Sequence, residues 1–256
     1  MTTTRAARAG VGTWTPAELG VLLQAVEPVA GPSAPAGSVT VRGRAVEVVP
    51  CSDGTGPRHG DLLACGRLVA RLETAIRSVG WEPRREVAED AAAEPLVTVE
   101  AVRRRPAIPL ALARHRVDRR LREGFPAGRD RPELSQVVDV VRGASTTRSW
   151  LVLSNGPTQD GAPAWHGPGA PIPEAEGVDL PWRWDPVLAV CTHGDGARDH
   201  VAGGIASHRA VVTAGLRGLR ADVHTAPLDG AADRAAWGRR LDPRAGCVQA
   251  LVHLYP

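Results

Sequence analysis

The chain has 256 residues and no lysine; all 31 of its basic residues are arginine. Schiff-base chemistry on a lysine amine is therefore excluded, as is the lysine grip of a Walker A loop. Rings other than tryptophan are nearly absent, with one Phe and one Tyr against seven Trp. No Phe, Tyr or Trp interleaves with the arginine runs, so the usual stacking platforms for nucleic-acid bases are missing. The four cysteines, Cys51, Cys65, Cys191 and Cys247, form no CxxC pair. That removes zinc-ribbon and thioredoxin-like motifs and leaves four reduced thiols, as expected in a cytoplasm. No apolar run reaches the roughly 18 residues of a membrane span. Met1–Gly12 has no apolar h-region and reads as a short flexible tail rather than a secretory signal. No GxSxG elbow is present, and no GxGxxG follows a strand. The net charge of +3 does not by itself imply nucleic acid.

What remains is an ordinary globular composition, 43% hydrophobic and 23% charged. A chain of this length can bury a core without disulfides or metals. Thr15-Pro16-Ala17-Glu18 opens a helix with a capping box. Ser38–Val49 alternates like a hairpin. Asp61 is expected to cap a helix with an apolar stripe from Leu62 to Val79, ended by Gly80. Strands are expected at Arg85–Val87 and Leu96–Val102, a basic helix at Leu110–Arg122, a helix at Pro132–Gly143 and a strand at Ser149–Leu153. Ser154–Leu180 is rich in Gly and Pro and reads as a functional or disordered loop. A buried strand Val187–Cys191, a helix from Asp199 to Gly218, a strand Ala221–Thr225, a helix Ala231–Leu241 and a strand Val248–Leu254 follow.

The two long helices repeat. A shift of 138 positions carries Asp61 onto Asp199, Ala64 onto Ala202, Gly66 onto Gly204, Arg71 onto Arg209 and Gly80 onto Gly218. A helix and then a strand precede each. Two diverged halves pairing internally explain this; coincidence in an Ala/Gly/Arg-rich chain is the competing explanation.

Cys191-x-His193-x-Asp195, with Asp199 and His200 close behind, offers soft and nitrogen ligands, but the spacing fits no common zinc signature. A strand-to-helix turn explains it better, and no metal is assigned. His208 falls on the inner stripe of its helix, as core histidines do, and Gly203-Gly204 suits close helix packing. Arg114-His115-Arg116-Val117-Asp118-Arg119-Arg120 is the strongest local feature. Guanidinium forks suit phosphate; a solvated helix face is the plainer reading. Trp165, Trp182 and Trp184 fall in or just after the irregular loop, where they either cover a flat ligand or plug the core.

Taken in order, several segments resemble the Acg-type branch of the nitroreductase superfamily. They are Val39–Val49; Cys65-Gly66-Arg67-Leu68 through Gly80-Trp81-Glu82-Pro83; Arg114–Arg120; Leu188-Ala189-Val190 with Thr192 and Asp195; and Thr213-Ala214-Gly215-Leu216 with Gly218-Leu219. The resemblance implies an α+β fold of two nitroreductase-like halves forming an internal pseudo-dimer. It also implies FMN held where the halves meet and reduced by NAD(P)H. Its phosphate site would draw on Arg114, Arg116, Arg119 and Arg120, and its flavin loop on Ser33. The departures are specific. Pro32-Ser33 is followed by Ala34-Pro35-Ala36-Gly37-Ser38 in place of polar and aromatic residues, and Ala and Gly offer no side-chain hydrogen bonds. His115 and Val117 stand where the superfamily's R-x-S-x-[RK] motif has Arg and Ser, leaving Arg119. The chain stops at Tyr255-Pro256, short of a further basic residue.

The sequence thus leads to a tail at 1–12, an N-terminal half at 13–105 and a C-terminal half at 106–256. The favoured function is a nitroreductase-like scaffold, sequestering protein or partner subunit with a degenerate flavin site, in which FMN is doubtful. An FMN-dependent NAD(P)H oxidoreductase and a phosphate- or nucleotide-binding module remain alternatives. A small-molecule or flavin ligand and a protein partner are the expected partners, with no membrane and no nucleic acid. The expected state is a cytoplasmic monomer or weak homodimer.

Overall fold

The computed structural model describes residues 12–27, 37–52, 56–123, 132–153, 156–157, 163–164, 186–225, 228–241 and 246–256. Ser33, the Ala34–Ala36 replacement, Trp165, Trp182, Trp184 and most of the 154–180 loop lie outside them. The fold is α+β, with two four-stranded antiparallel sheets. Helix α1 (Pro16–Val26), strands β1 (Gly37–Arg42) and β2 (Ala45–Pro50), helix α2 (His59–Ser78), and strands β3 (Trp81–Val87) and β4 (Val97–Arg104) come first. Helix α3 (Pro109–Glu123) leads to α4 (Leu134–Ala144), β5 (Ser149–Leu153) and a short ribbon, β6 (Gly156–Pro157) with β7 (Pro163–Ala164). Strand β8 (Val187–Thr192), α5 (Ala197–Leu216), β9 (Arg220–His224), α6 (Ala231–Leu241) and β10 (Cys247–Tyr255) complete the chain.

The first sheet has the order β1-β2-β4-β3 and the second β5-β8-β10-β9. Without α3, the ribbon and α6, each half of the chain runs α-β-β-α-β-β, and its strands pair first, second, fourth, third. Helices α2 and α5 each have 20 residues, and both their starts (59 and 197) and ends (78 and 216) lie 138 positions apart.

The sequence explains these boundaries. At α1, Thr15 Oγ1 accepts from the Glu18 N–H at 3.3 Å, and Glu18 Oε2 accepts from the Thr15 N–H at 2.9 Å, the expected capping box. Asp61 and Asp199 are not the caps expected of them. Each helix starts two residues earlier, and the carboxylate occupies the third helical position. There it reaches back to the N–H of the preceding cap residue, Arg58 at 2.9 Å and Gly196 at 3.2 Å. Acids in a first turn are favoured whichever of these places they hold. Past the other ends, Gly80 (φ +83°) and Gly218 (φ +78°) adopt the left-handed conformation that stops a helix. Strand β3 begins at Trp81 rather than Arg85, because a register shift at Glu82/Pro83 lets the strand continue through the proline.

Helices α2 and α5 pack on each other through glycine. A Cβ on Gly66 would overlap the Val201 carbonyl oxygen, and one on Gly204 would overlap the Leu63 carbonyl oxygen. The Cα of each glycine is the other's close neighbour. The contact is reciprocal under the same 138-residue shift. One core lies between the first sheet and α1 and α2, built around Leu22, Val46, Val48, Leu72, Ile76 and Val97. A second lies between the other sheet and α4 and α5, around Val140, Leu188, Val190, Ala210 and Leu254. A third covers the outer face of that sheet, where Leu228 and Leu241 meet Val187, Ala189 and Leu251. None of the four cysteines is in a disulfide; Cys65 and Cys191 are buried, Cys51 and Cys247 half-buried. Burial pushes the Cys65 thiol up to about 12. Among the described residues no helix is long and apolar enough to cross a membrane.

Candidate functional site

The arginines singled out on α3 do not converge. Arg116, Arg119 and Arg120 are exposed, and Arg114 is half-buried on another side of the helix. Arg114 shares the inward side of α3 with other residues of the same run. The Val117 side chain abuts Gly215 of α5, where a Cβ would meet its Cγ1 at 2.6 Å. Asp118 is buried, with Arg122 Nη2 3.5 Å and His208 Nε2 3.4 Å from its carboxylate oxygens. Arg122 also donates to the Gln24 carbonyl, and Arg71 to the Glu27 carbonyl at 2.6 Å. Burial holds His208 down to about 4, against the opposing pull of Asp118 and assisted by Arg71, Arg67 and Arg122. His208 is thus the buried core histidine expected of it, and neutral at neutral pH. His115 is lowered by burial as well.

A second buried acid lies on α2. Glu73 is buried on α2 and receives Arg77 at 3.3 Å, Arg209 at 3.4 Å and Arg85. Arg114 belongs to this neighbourhood. Burial, with Arg77 beside it, lowers its pKa, and Arg209 is lowered by burial with Arg77, Arg85 and Arg114 adding to the effect. Arg71 and Arg209, equivalent under the shift, therefore serve different acids' surroundings.

The most connected centre has residues 190 positions apart. Asp195, in the turn after β8, takes both guanidinium arms of Arg234 from α6, at 2.7 and 2.9 Å. It also accepts from His200 Nε2 at 3.0 Å and Gln249 Nε2 at 3.2 Å. Burial acts to raise the Asp195 pKa, but these hydrogen bonds and the Arg234 charge outweigh it and bring it to about 2. His59, from α2, donates Nε2–H to the Gln249 carbonyl at 3.0 Å and meets the His200 ring edge-on at 4.7 Å. Burial first, then Arg234 and His200, lowers His59 to about 4. Both imidazoles are neutral at neutral pH, and each leaves a buried Nδ1 without a partner among the described residues. Around Cys191-x-His193-x-Asp195 the side chains part. Cys191 joins the outer core, His193 lies 4.6 Å from the Trp150 ring, and Asp195 is taken by Arg234. Among the described residues no group of three or more His, Cys, Asp or Glu is arranged to hold a metal ion.

Sequence reasoning did not single out Glu73, Arg234, Gln249 or His59. Their signal is not local spacing but a polar residue on an apolar stripe. Glu73 is one, buried beside Leu72 and Ile76 on α2. A further cluster ties α1 to the first sheet. Glu18 Oε1 accepts from Trp81 Nε1 at 2.8 Å and Arg104 Nη2 at 2.7 Å. The Arg44 and Arg104 guanidiniums lie 3.9 and 4.4 Å from the Trp81 ring centroid. Against protein-family models the chain has no match, and no curated protein matches it.

Proposed function

We propose that the protein is a nitroreductase-like internal pseudo-dimer with a degenerate flavin site, acting as a scaffold, a sequestering protein or a partner subunit. The identical strand order, the paired helix boundaries and the reciprocal Gly66–Gly204 contact support the pseudo-dimer. A chain that holds both halves needs no second copy to build its core, so it is a monomer or weak homodimer.

The observation that carries the degenerate reading is the inner side of α3. Where the superfamily's motif would present Ser and Arg to a phosphate, Val117 is packed against Gly215. Beside it the buried carboxylate of Asp118 repels an anion. Arg116, Arg119 and Arg120 project to solvent instead. These residues fit a flavin phosphate poorly, and no redox step is derived through it. Each missing charge-assisted hydrogen bond weakens binding by about 1.5–3 kcal/mol. Two such losses amount to roughly two to four decades of affinity.

The test is a fluorescence titration with FMN on the purified protein and on Arg119→Ala. The expected result is a colourless protein without saturable micromolar binding. Saturable binding that Arg119→Ala abolishes overturns the reading and makes the chain an FMN-dependent oxidoreductase.

A further inference from the structure

A cleft of about 280 Å³ opens between β3, the turn before β5 and the first turns of α5. We propose that this cleft binds a small organic anion, a carboxylate or phosphate monoester carried on an apolar body. Three arginines from three separate elements face it: Arg85, Arg148 and Arg198. Its floor is apolar, made by Val87 together with Val201, Ala202 and Ile205 of α5. Guanidinium forks around an apolar floor suit a ligand with one charged end and one greasy end. The volume lies just below the roughly 300–1,000 Å³ of drug-sized sites, which calls for a small occupant.

The local charge is under-compensated. Arg85 pairs with Glu73, but Glu73 is already shared with Arg77 and Arg209. Arg198 donates to the Val87 carbonyl at 3.0 Å and pairs with Glu89 at 3.0 Å, a carboxylate that is 81% exposed and correspondingly screened. The Arg148 guanidinium has no acceptor among the described residues. Its backbone N–H alone is engaged, by Thr146 Oγ1 at 3.2 Å. One acid, Glu86, lines the cleft as well. An anion entering here meets a surplus of positive charge, of which Arg85 and Arg198 are held in place by bonds to Glu73 and the Val87 carbonyl. That preorganisation limits the ordering cost of binding.

The site is distinct from the α3 motif, so its test is independent of the flavin reading. Fluorine NMR titrations of the full chain would use 4-fluorobenzoate, 4-fluorophenyl phosphate and the neutral 4-fluorobenzyl alcohol. The anions are expected to saturate with Kd near or below about 1 mM, the alcohol binding at least about tenfold more weakly. Comparing the two anions separates carboxylate from phosphate preference. Arg148→Ala, an exposed change that leaves the core intact, should weaken the anions about tenfold or more. Arg116→Ala on α3 should leave them unchanged. Equal binding of the alcohol, no saturation, or indifference to Arg148→Ala overturns the proposal.

Discussion

Among the described residues the sheet β1-β2-β4-β3 buries one face and leaves the other to water, whereas β5-β8-β10-β9 is covered on both. Strand β2 alternates, with Val46 and Val48 buried between less buried neighbours; every residue of β8 is buried. On the open face of the first sheet stand exposed ion pairs such as Arg42–Glu47, Arg84–Glu100 and Arg103–Glu82. Such pairs contribute little stability each and serve mainly to keep the face wetted. On the second sheet that face is closed by α6, for which the first half has no helix between β3 and β4. Covering a face with a helix displaces water from polar groups beneath it. Arg234 of α6 and Asp195 of the β8–α5 turn satisfy each other there, with His200, Gln249 and His59 completing the centre. The added helix and the buried polar centre are one device.

The largest expected effect tests that pairing. Asp195→Ala should destabilise the protein by about 3–5 kcal/mol, because it leaves Arg234 buried without its acceptor. Urea unfolding followed by circular dichroism measures it. Glu100→Ala on the open face of the first sheet should change stability by less than about 1 kcal/mol. A comparable loss from both variants would break the distinction between the two sheets.

The crossing of α2 and α5 is where the halves should instead behave alike. Gly66→Ala and Gly204→Ala each drive a methyl into the partner helix's backbone, which cannot rotate away. Each should cost about 3 kcal/mol or more. Gly203→Ala meets the Gln249 Cβ at 2.8 Å, an atom fixed to the β10 backbone, and the movable Leu63 Cδ2 at 3.2 Å, and should cost an intermediate amount of about 2 kcal/mol. If Gly66→Ala and Gly204→Ala differ by more than the Gly203→Ala effect, the crossing is not symmetric and the pseudo-dimer proposal weakens.

Much of this frame is legible in the sequence. Thr15-Pro16-Ala17-Glu18, the apolar stripe from Leu62 to Val79 and the glycines at 80 and 218 are local signals, and each marks a boundary within a residue or two. Asp61 and Asp199 mislead by three residues because an acid inside the first turn carries the same signature as one at the cap. Trp81–Arg84 escapes notice as strand because its proline sits at a register shift. The polar centres are illegible for a different reason. Glu73 meets Arg209 across 136 positions and His59 meets Gln249 across 190. No spacing rule spans such separations; only the packed helices bring them together. The Arg114–Arg120 run shows the converse. Its charge is visible in sequence, but which side faces inward is set by Val117 and Gly215.

Acid should act on both halves through their buried histidines. His59 and His208 both titrate near 4 in the folded protein, against 6.5 for an unperturbed imidazole. The unfolded chain therefore takes up protons first as pH falls. Their stabilising contribution is complete above pH 6.5 and is lost progressively down to about pH 4. At pH 5.5 each removes about 1.4 kcal/mol relative to neutral pH. Asp195, depressed to about 2, adds a further loss only below its unperturbed value of 3.8. Replacing His208 by Gln should shrink the stability difference between pH 7.5 and 5.5 by about 1.4 kcal/mol. An unchanged difference would mean that His208 is protonated as readily in the folded chain as in the unfolded one.

The smallest effect separates the two helix ends. Gly80 and Gly218 both hold positive φ, so alanine at either is strained by about 1 kcal/mol. Their surroundings differ. A Cβ at Gly218 meets nothing within 4 Å, while one at Gly80 lies 3.1 Å from the Arg105 carbonyl oxygen. The Gly80 carbonyl also accepts the Arg105 N–H at 2.9 Å, so this turn fastens the end of α2 to the end of β4. Gly218→Ala should therefore cost the backbone strain alone. Gly80→Ala should cost that strain and a few tenths of a kcal/mol more, as the Arg105 bond lengthens to make room. Matched thermal melts resolve the order. Amide exchange at Arg105 gives the decisive readout, because only Gly80→Ala should accelerate it. Faster exchange at Arg105 in Gly218→Ala would show that the two ends are coupled through the α2–α5 crossing rather than set locally.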